Sequence, residues 1–409
     1  MDGSHLRRMS CVIFVISLFF VTASVTGFAQ ESLDLTVARL RSPDARERLQ
    51  AIALLREAGQ PAAIPAIAPL VTDLDDGVQL AAISAECALF RAEGLDSRAA
   101  IVDAFVGVPF SVFARPVPRD LTAALARALS DATRQVRLDA AYALGAIARP
   151  PLAAGDAAAV LSALEHPDPA TRAAAARVAG RLQIAQAGDA LVALMNDADA
   201  DVRIAAMWAA GELRFERAVR SLAEFAAHYR RSPAGLAALA ALAKIAHASS
   251  VPLFRSALTD RSADVRRLAA EGLGRMADRA SAAELETIAT SDRDIVVRAA
   301  ALFALHRIGR PSVPSLAALL APGRTFGAVR QYLLEAQPDP RALATQLASA
   351  DAAVRRGVAD VLGVIADPSS AAVLLPLQQD ADPEVRAAAT RALERLNLRG
   401  TPRTGTGPS

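Results

Sequence analysis

The amino-acid sequence predicts an all-α fold, a solenoid built from about eleven two-helix units. A Val-Arg pair recurs at a spacing of roughly 31 residues, and alanines follow each pair at helical intervals. Hydrophobic residues make up 53% of the 409 residues, but aromatic residues make up only 4%. Alanine and leucine favour helix and supply few strand formers, so the recurring unit is a helix pair. No single pair can bury its apolar face, and the pairs must therefore stack.

The arginine of the Val-Arg pair lies near the beginning of each second helix. It stands at Arg137, Arg203, Arg266, Arg298, Arg330, Arg355 and Arg386, and Arg172 is a variant in which Thr171 replaces the valine. The interval from Arg203 to Arg266 is two repeats long, and the missing member falls at Ala234-Gly235. Because Gly235 has no side chain, it is expected to interrupt the series. Weaker copies near Ala45-Arg46 and Val78-Gln79 precede the series and bring the total to about eleven.

Each second helix is predicted to bury one face. In one unit the offsets 0, 4, 7, 8 and 11 are occupied by Val136, Ala140, Ala143, Leu144 and Ile147. These offsets lie on one side of a helix with 3.6 residues per turn. Small alanines at two of them allow neighbouring helices to approach closely. An acidic turn precedes most second helices, and aspartate there can accept the free N–H groups of the first helical turn.

The repeated segments resemble the HEAT family, in the short form also known from phycobilin lyases. The resemblance is carried by Asp-Ala-Asp-Val-Arg-Ile-Ala-Ala at 199–206 and Asp-Pro-Glu-Val-Arg-Ala-Ala-Ala at 382–389, and it covers roughly residues 33–398. It implies a right-handed superhelix in which the second helices line the concave surface. In this family the recurring arginine bonds the aspartate of the inter-helix turn and joins neighbouring repeats. The resemblance implies a fold and no single activity, because the family includes scaffolds, adaptors and a few enzymes.

A leader is predicted before the solenoid, which we assign to residues 30–398. Residues 1–29 have the pattern of a signal peptide, since two arginines precede an apolar run over 12–25 and small residues follow at Gly27 and Ala29. The solenoid is therefore expected in the periplasm or outside the cell. Retention of the leader as an N-terminal anchor is the alternative, although the run is shorter than the roughly 20 residues of a spanning helix. Arginine far outnumbers lysine, which suggests a GC-rich bacterial source.

Two further segments depart from the repeat. Residues 94–118 contain three phenylalanines and three prolines, so they are predicted to form an irregular apolar excursion instead of a helix pair. Residues 399–409 are rich in glycine, threonine and proline and contain no apolar anchor. They are predicted to be a disordered tail.

The composition argues against several classes of function. A formal net charge of +2 gives no basic surface for nucleic acid, which needs clustered lysine and arginine. Cys87 is the only cysteine after the leader, so neither an intrachain disulfide nor a thiolate metal site is expected.

The candidate metal and catalytic patterns are incomplete. Asp197, Asp199 and Asp201 have the spacing that opens a calcium loop, but Val202 and Trp208 stand where glycine and glutamate are required. No His-Glu pair occurs, whereas the deoxyhypusine hydroxylases of the resembled family hold iron with such dyads. We therefore expect helix capping by these aspartates, and no catalytic, cofactor-binding or metal-binding residue.

One position of the second helix carries a candidate binding surface. Offset 6 points roughly away from the buried face, and its occupants include Tyr142, Arg177, Trp208, Glu271 and Phe303. Aromatic and arginine side chains are common anchors of interfaces, so these residues are predicted to meet a partner. The alternative is that the rings pack sideways against the next repeat.

The sequence thus favours a non-catalytic scaffold or adaptor that holds a protein or peptide in a helical groove outside the cytoplasm. Two alternatives remain. One is an accessory lyase or chaperone-like subunit that acts on a modified protein. The other is an envelope component tethered to the membrane, which requires that the leader is retained.

Overall fold

The computed structural model describes residues 33–59, 61–94, 117–320 and 325–400, and no β-strand occurs in these ranges. The described residues fall into two compact units, the first ending at Pro167 and the second beginning at Asp168. The predicted signal peptide lies outside the described residues, as do most of the predicted excursion and the tail from residue 401. None of the helices in the described ranges combines the length and hydropathy needed to cross a membrane.

The first unit contains seven α-helices in its described part, which alternate between first and second members of a pair. They are α1 (33–39), α2 (Ala45–Glu57), α3 (Ile64–Ile67), α4 (Asp76–Gly94), α5 (Arg119–Ala128), α6 (Arg134–Ile147) and α7 (Ala154–Ala163). Two 3₁₀ segments, Pro61–Ala63 and Ala68–Thr72, flank α3. The second helices α2, α4 and α6 pack in sequence order, as a stack of helix pairs requires.

The second unit continues the same alternation. Its α-helices are α8 (Pro169–Arg181), α9 (Gly188–Leu194), α10 (Ala200–Glu212), α11 (Val219–Tyr229), α12 (Pro233–Ile245), α13 (Val251–Ala257), α14 (Ala263–Arg275), α15 (Ala282–Ser291), α16 (Ile295–Arg307), α17 (Val313–Ala317), α18 (Phe326–Ala336), α19 (Pro340–Leu347), α20 (Ala352–Ile365), α21 (Ser370–Leu374) and α22 (Pro383–Gly400). Short 3₁₀ segments at Ala185–Ala187, Glu216–Ala218, Ala248–Ser250, Arg279–Ser281 and Leu375–Gln379 adjoin first helices. The even-numbered second helices number eleven over the described residues of both units, which confirms the all-α solenoid predicted from the repeat.

Small residues set the spacing between neighbouring second helices. A Cβ atom on Gly211 of α10 would lie 2.8 Å from the Cα of Ala241 in α12, and one on Gly274 of α14 would lie 2.6 Å from the Cα of Ala304 in α16. Neither distance is possible for a real side chain, so glycine is required where the two backbones approach most closely. The first residue of the buried face, such as Val202, is fully buried. The alanine-rich composition is therefore used for helix packing.

One predicted boundary is wrong by two residues. Helix α22 continues through Gly400, whereas the tail was expected to begin at residue 399. The arginines and leucines that precede this point are good helix formers, and a glycine at the end of the helix is common.

Candidate functional site

The aspartate of the inter-helix turn bonds both the arginine of the preceding repeat and the backbone of its own turn. In the turn before α10, Asp197 accepts two hydrogen bonds from Arg172 of the preceding repeat, from Nε at 2.8 Å and from Nη2 at 2.9 Å. The same carboxylate accepts the backbone N–H of Asp199 at 2.9 Å. Hydrogen bonding by Arg172 lowers the pKa of Asp197, which therefore stays ionised. Asp199 then caps α10 by accepting the N–H groups of Asp201 and Val202.

The same pairing recurs in two later repeats. Arg266 donates from Nε and Nη2 to Asp292 at 2.7 and 2.9 Å, and Arg355 donates in the same way to Asp380 at 2.8 and 2.7 Å. Each of these arginines also uses Nη1 to bond backbone carbonyls of its own turn. The arginine therefore fixes its own turn and holds the next turn by a bidentate ion pair, a geometry that suits a planar guanidinium.

The first repeat has a different register from the predicted one. The sequence suggested Ala45-Arg46, but Arg48 makes the corresponding contacts, with Nη1 on Ser42 O at 2.8 Å and Nη2 on Asp73 at 2.7 Å. Glu47 stands where later repeats have valine, and this replacement hid the correct register. The arginine near the beginning of the second helix therefore defines the repeat, and the residue before it need not be valine.

Four of the five remaining predicted arginines share the bonds to their own turn. Arg137, Arg203, Arg298 and Arg386 each donate from Nη1 to carbonyl oxygens of their own turn, and Arg137 and Arg330 are buried. At Gly235 the arginine of the repeat is absent, but the predicted break in the ladder does not follow. Arg231 takes over there and donates from Nε and Nη2 to Asp260 at 3.0 and 3.1 Å.

The five predicted partner-binding residues do not share one environment. Tyr142 lies in the first unit, and 51% of its surface is exposed. Arg177 on α8 is exposed and Trp208 on α10 is partly exposed. Glu271 and Phe303 are buried, so the expectation that offset 6 faces solvent is wrong at these two positions.

The Trp208 side chain lies over the junction of three second helices. Its Cζ3 atom would be 3.1 Å from a Cβ on Gly180 of α8, so the glycine leaves room for the ring. On the other side, the ammonium group of Lys244 on α12 is 5.8 Å from the centre of a Trp208 ring. Lys244 also forms an ion pair with Glu212, one turn after Trp208. These contacts hold the indole in place, and the Trp208 side chain remains partly exposed to solvent.

Phe303 is buried because side chains from α14 and α18 meet across it. Arg275 on α14 donates from Nε and Nη2 to Glu335 on α18 at 2.7 and 2.8 Å, and its guanidinium lies 5.7 Å from the Phe303 ring centre. Tyr332 on α18 stacks on Phe303 at 5.1 Å between ring centres. A helix wheel cannot show this contact, because α14 and α18 are two repeats apart.

Glu271 is the centre of the same cluster. Its Oε1 accepts hydrogen bonds from Arg267 at 2.5 Å and from the Tyr332 hydroxyl at 2.6 Å, and its Oε2 accepts one from Arg275 at 3.2 Å. Burial raises the pKa of Glu271, whereas the charges of Arg267 and Arg275 and the hydrogen bond from Tyr332 lower it. The net effect is a pKa below the ordinary value of glutamate. Burial and the Glu271 charge raise the pKa of Tyr332, which stays protonated. We call Arg267, Glu271, Arg275, Tyr332 and Glu335 the Phe303 clamp.

A family model of HEAT repeats matches residues 157–235, 232–306 and 340–405, which together span more than half of the chain. The chain belongs to the HEAT-repeat family. The likeness to the short repeats of phycobilin lyases stays a prediction. No curated protein is significantly similar to the chain in sequence.

Solved structures with similar folds include proteins of different kinds. An engineered protein is 21% identical with a TM-score of 0.34, and the match covers 89% of this chain and 98% of that one. Human deoxyhypusine hydroxylase in complex with glycerol is 18% identical, with a TM-score of 0.26 and coverages of 68% and 97%. Importin beta is 16% identical, with a TM-score of 0.39 and coverages of 91% and 56%. Similarities at this level add nothing to the family assignment.

Several residues that shape this HEAT-repeat surface were missed from the sequence. Glu212, Lys244 and Arg275 all occupy offset 10, one helical turn after offset 6, so inspection of that second position could have found them. Glu335 occupies offset 6 of its helix, whereas Tyr332 carries no comparable signal, because its partner Glu271 lies two repeats earlier.

The aspartates that resemble a calcium loop are already engaged in the HEAT-repeat turn. Asp199 caps α10, as the helix-capping interpretation requires, whereas Asp197 binds Arg172 of the preceding repeat. Within the described ranges, no group of three or more histidine, cysteine, aspartate or glutamate residues is arranged to hold a metal ion.

Proposed function

We propose that this HEAT-repeat protein is a non-catalytic scaffold that holds a protein or peptide partner on the second-helix face around Trp208. Stacked repeats present extended surfaces of this kind, and on α10 and α12 the packing leaves offsets 2 and 6 available for recognition. The observation that supports the proposal is one apolar patch on this face.

The patch consists of Ile204 and Trp208 on α10 and of Leu236 and Ala240 on α12. These residues occupy offsets 2 and 6 of neighbouring helices that pack side by side, so all four lie on one face. Each is partly exposed. We call these four residues the Trp208 patch. A tryptophan held by its neighbours loses little side-chain entropy on binding, which is why such rings make effective anchors.

Charged residues pair with one another on the same face further along the second unit. Arg275 pairs with Glu335, Arg356 on α20 with Glu384 at 2.5 Å, and Arg391 on α22 with Asp360 at 3.5 Å. Four of these residues, Glu335, Arg356, Asp360 and Arg391, occupy offset 2 or 6, where α10 and α12 have apolar side chains. The Trp208 patch is therefore the better site for an apolar contact, and exposed Arg177 on α8 adds a charge at its edge.

The proposal is tested by affinity capture from the native source with three baits, namely the unaltered protein, Trp208→Ala and Leu375→Ala. Leu375 is a matched control, because 54% of its surface is exposed and it lies in the 3₁₀ segment that follows the first helix α21. We expect one protein to be captured equally by the unaltered bait and Leu375→Ala, and at least about tenfold less by Trp208→Ala, equivalent to about 1.4 kcal/mol. Equal capture by all three baits would exclude this patch.

We also propose that the scaffold acts outside the cytoplasm after removal of residues 1–29. The support is the charged and apolar pattern of the leader, which ends in Gly27 and Ala29. Intact-mass determination of the exported protein tests this. A mature chain that begins at Gln30 is expected, whereas a chain that retains Met1 to Ala29 would favour the tethered form.

A further inference from the structure

Arg203 has the same Nη1 anchor as Arg266 and Arg355 but lacks the carboxylate that each of them binds. Its Nη1 donates to Asp197 O at 2.7 Å and Ala198 O at 2.9 Å, as the Nη1 atoms of Arg266 and Arg355 do in their own turns. In those two residues the Nε and Nη2 atoms bind the aspartate of the next turn. In Arg203 the same two atoms have no acceptor within the part of the chain that the structure describes.

The next turn explains the difference. Tyr229 stands where the other turns have the aspartate, six residues before the Gly235 position. The turn is tight, since Tyr229 O accepts the Ser232 N–H at 2.8 Å and a Cβ on Gly235 would overlap that oxygen. The turn therefore lacks both the carboxylate that would face Arg203 and the arginine that would continue the series.

Two arginines, Arg230 and Arg231, follow Tyr229, and Asp260 of the following repeat already binds Arg231. Arg230 makes one long contact of 3.5 Å, with Ser256 Oγ. Arg203 itself is partly exposed, so a ligand can reach its free edge.

We propose that the Nε and Nη2 edge of Arg203 binds a carboxylate of the partner polypeptide, in the place that an aspartate of the chain takes at Arg172, Arg266 and Arg355. This rests on the proposed scaffold function and names the chemistry of the partner. The guanidinium is already held through Nη1, so little of its freedom is lost when a carboxylate binds bidentately. Arg203 and Trp208 are five residues apart, or about 140° around the helix, so the two contacts are separate.

The test observes the Arg203 Nε–H group by NMR in the full mature protein labelled with ¹⁵N-arginine. The signal is assigned by its loss in Arg203→Lys, which keeps the charge and removes the planar fork. The probes are a blocked pentapeptide with two glutamates between glycines, the same peptide with glutamines, and sodium acetate at matched ionic strength. The Nε–H signal of Arg172, whose fork is filled by Asp197, is the internal control.

We expect the glutamate peptide to shift the Arg203 signal saturably and the glutamine peptide to change it little. The Arg172 signal should not respond to either peptide. Binding of the glutamate peptide, measured by calorimetry, should weaken at least about fivefold in Arg203→Lys. The proposal would be overturned if the glutamate peptide produced no saturable shift. It would also be overturned if acetate bound as tightly as the peptide, because the site would then select a small anion. The capture experiment with Trp208→Ala is independent of this titration, so failure of the carboxylate contact leaves the scaffold function testable on its own.

Discussion

Arg275 and Glu335 form a bidentate ion pair across Phe303, although they belong to second helices two repeats apart. In a regular stack each repeat contacts only its neighbours, and stability is then a sum of neighbouring interfaces. The Phe303 clamp adds a contact between next-nearest repeats. The helices α14, α16 and α18 are therefore expected to open together and not one repeat at a time.

Glu335→Gln tests this coupling. The substitution removes the charge that binds Arg275, and we expect it to lower the free energy of unfolding by about 1–2 kcal/mol, as for hydrogen bonds to charged groups. Hydrogen exchange should rise in α14, α16 and α18 by similar factors. Glu286→Gln is the control, because Glu286 forms an exposed pair with Arg310 at 3.6 Å and such pairs contribute little. An increase confined to α18 would contradict the coupling.

Glu271→Gln is expected to be more damaging and to change the response to acid. Glu271 is buried and binds Arg267, Arg275 and Tyr332, so its neutralisation leaves buried positive charge uncompensated, at a cost of about 3–5 kcal/mol. Its folded-state pKa is lowered, so its stabilisation is present above the unfolded pKa and is lost as pH falls through the folded pKa. Urea unfolding between pH 2 and pH 7 should show a shallower acid dependence in the variant. An unchanged acid limb would contradict the assignment.

The sequence was sufficient for the fold because the packing of this chain is local. The spacing of Val202, Ala206 and Ala209 within one helix determines the buried face, and all three are buried. Neighbouring repeats obey the same rule, so the helix pairs could be predicted without long-range information.

The candidate site was harder to predict because its contacts span repeats. Offset 6 faces outward on α8, where Arg177 is exposed, but the same offset at Phe303 is covered by side chains from α14 and α18. Likewise, Glu47 stands in place of the valine, so the Val-Arg pattern did not indicate that Arg48 binds Asp73 of the next turn. Burial at these positions depends on which long side chains the adjacent repeats provide, and a single-helix pattern contains no information on that.

Arg266→Gln is predicted to destabilise the second unit more than Arg203→Gln. Arg266 loses a bidentate bond to Asp292 as well as its bonds to its own turn, whereas Arg203 loses only the latter. We expect losses of about 2–3 and about 1 kcal/mol, respectively, since hydrogen bonds to charged groups contribute more than neutral ones. Urea midpoints measured side by side check the order. Equal losses would show that the bond to the next repeat contributes nothing.

Glu86 in α4 is expected to make the first unit less stable as pH rises. It is fully buried, neither carboxyl oxygen has a hydrogen-bond partner among the residues that the structure describes, and it takes the core position that Leu144 takes in α6. Burial raises the pKa of Glu86 from 4.5 to about 9. The folded state therefore holds the proton more tightly than the unfolded state, and the free energy of unfolding falls between these two values.

The expected fall is about 1.4 kcal/mol per pH unit over that window, or roughly 6 kcal/mol in all, and nothing is lost below pH 4.5. Glu86→Gln does not titrate and should remove this slope. Thermal unfolding of both proteins from pH 5 to pH 9 measures it, with exposed Glu57→Gln as the control for loss of one surface charge. Parallel curves for the unaltered protein and Glu86→Gln would show that the carboxyl reaches water or a cation.

Trp208 and Phe303 occupy the same offset in α10 and α16, and they are predicted to respond in opposite ways to truncation. Phe303 is fully buried, so Phe303→Ala should cost about 3–5 kcal/mol through lost contacts and a cavity. Trp208 is partly exposed, and Trp208→Ala should cost at most about half as much while reducing partner capture.

Because Trp208 is the only tryptophan of the chain, its fluorescence reports on this position alone. Acrylamide should quench it in the free protein, and a bound partner should reduce that quenching. A blue-shifted emission that resists the quencher before any partner is added would mean that the ring is already covered. The second-helix face around Trp208 would then be part of the packing, as Phe303 is.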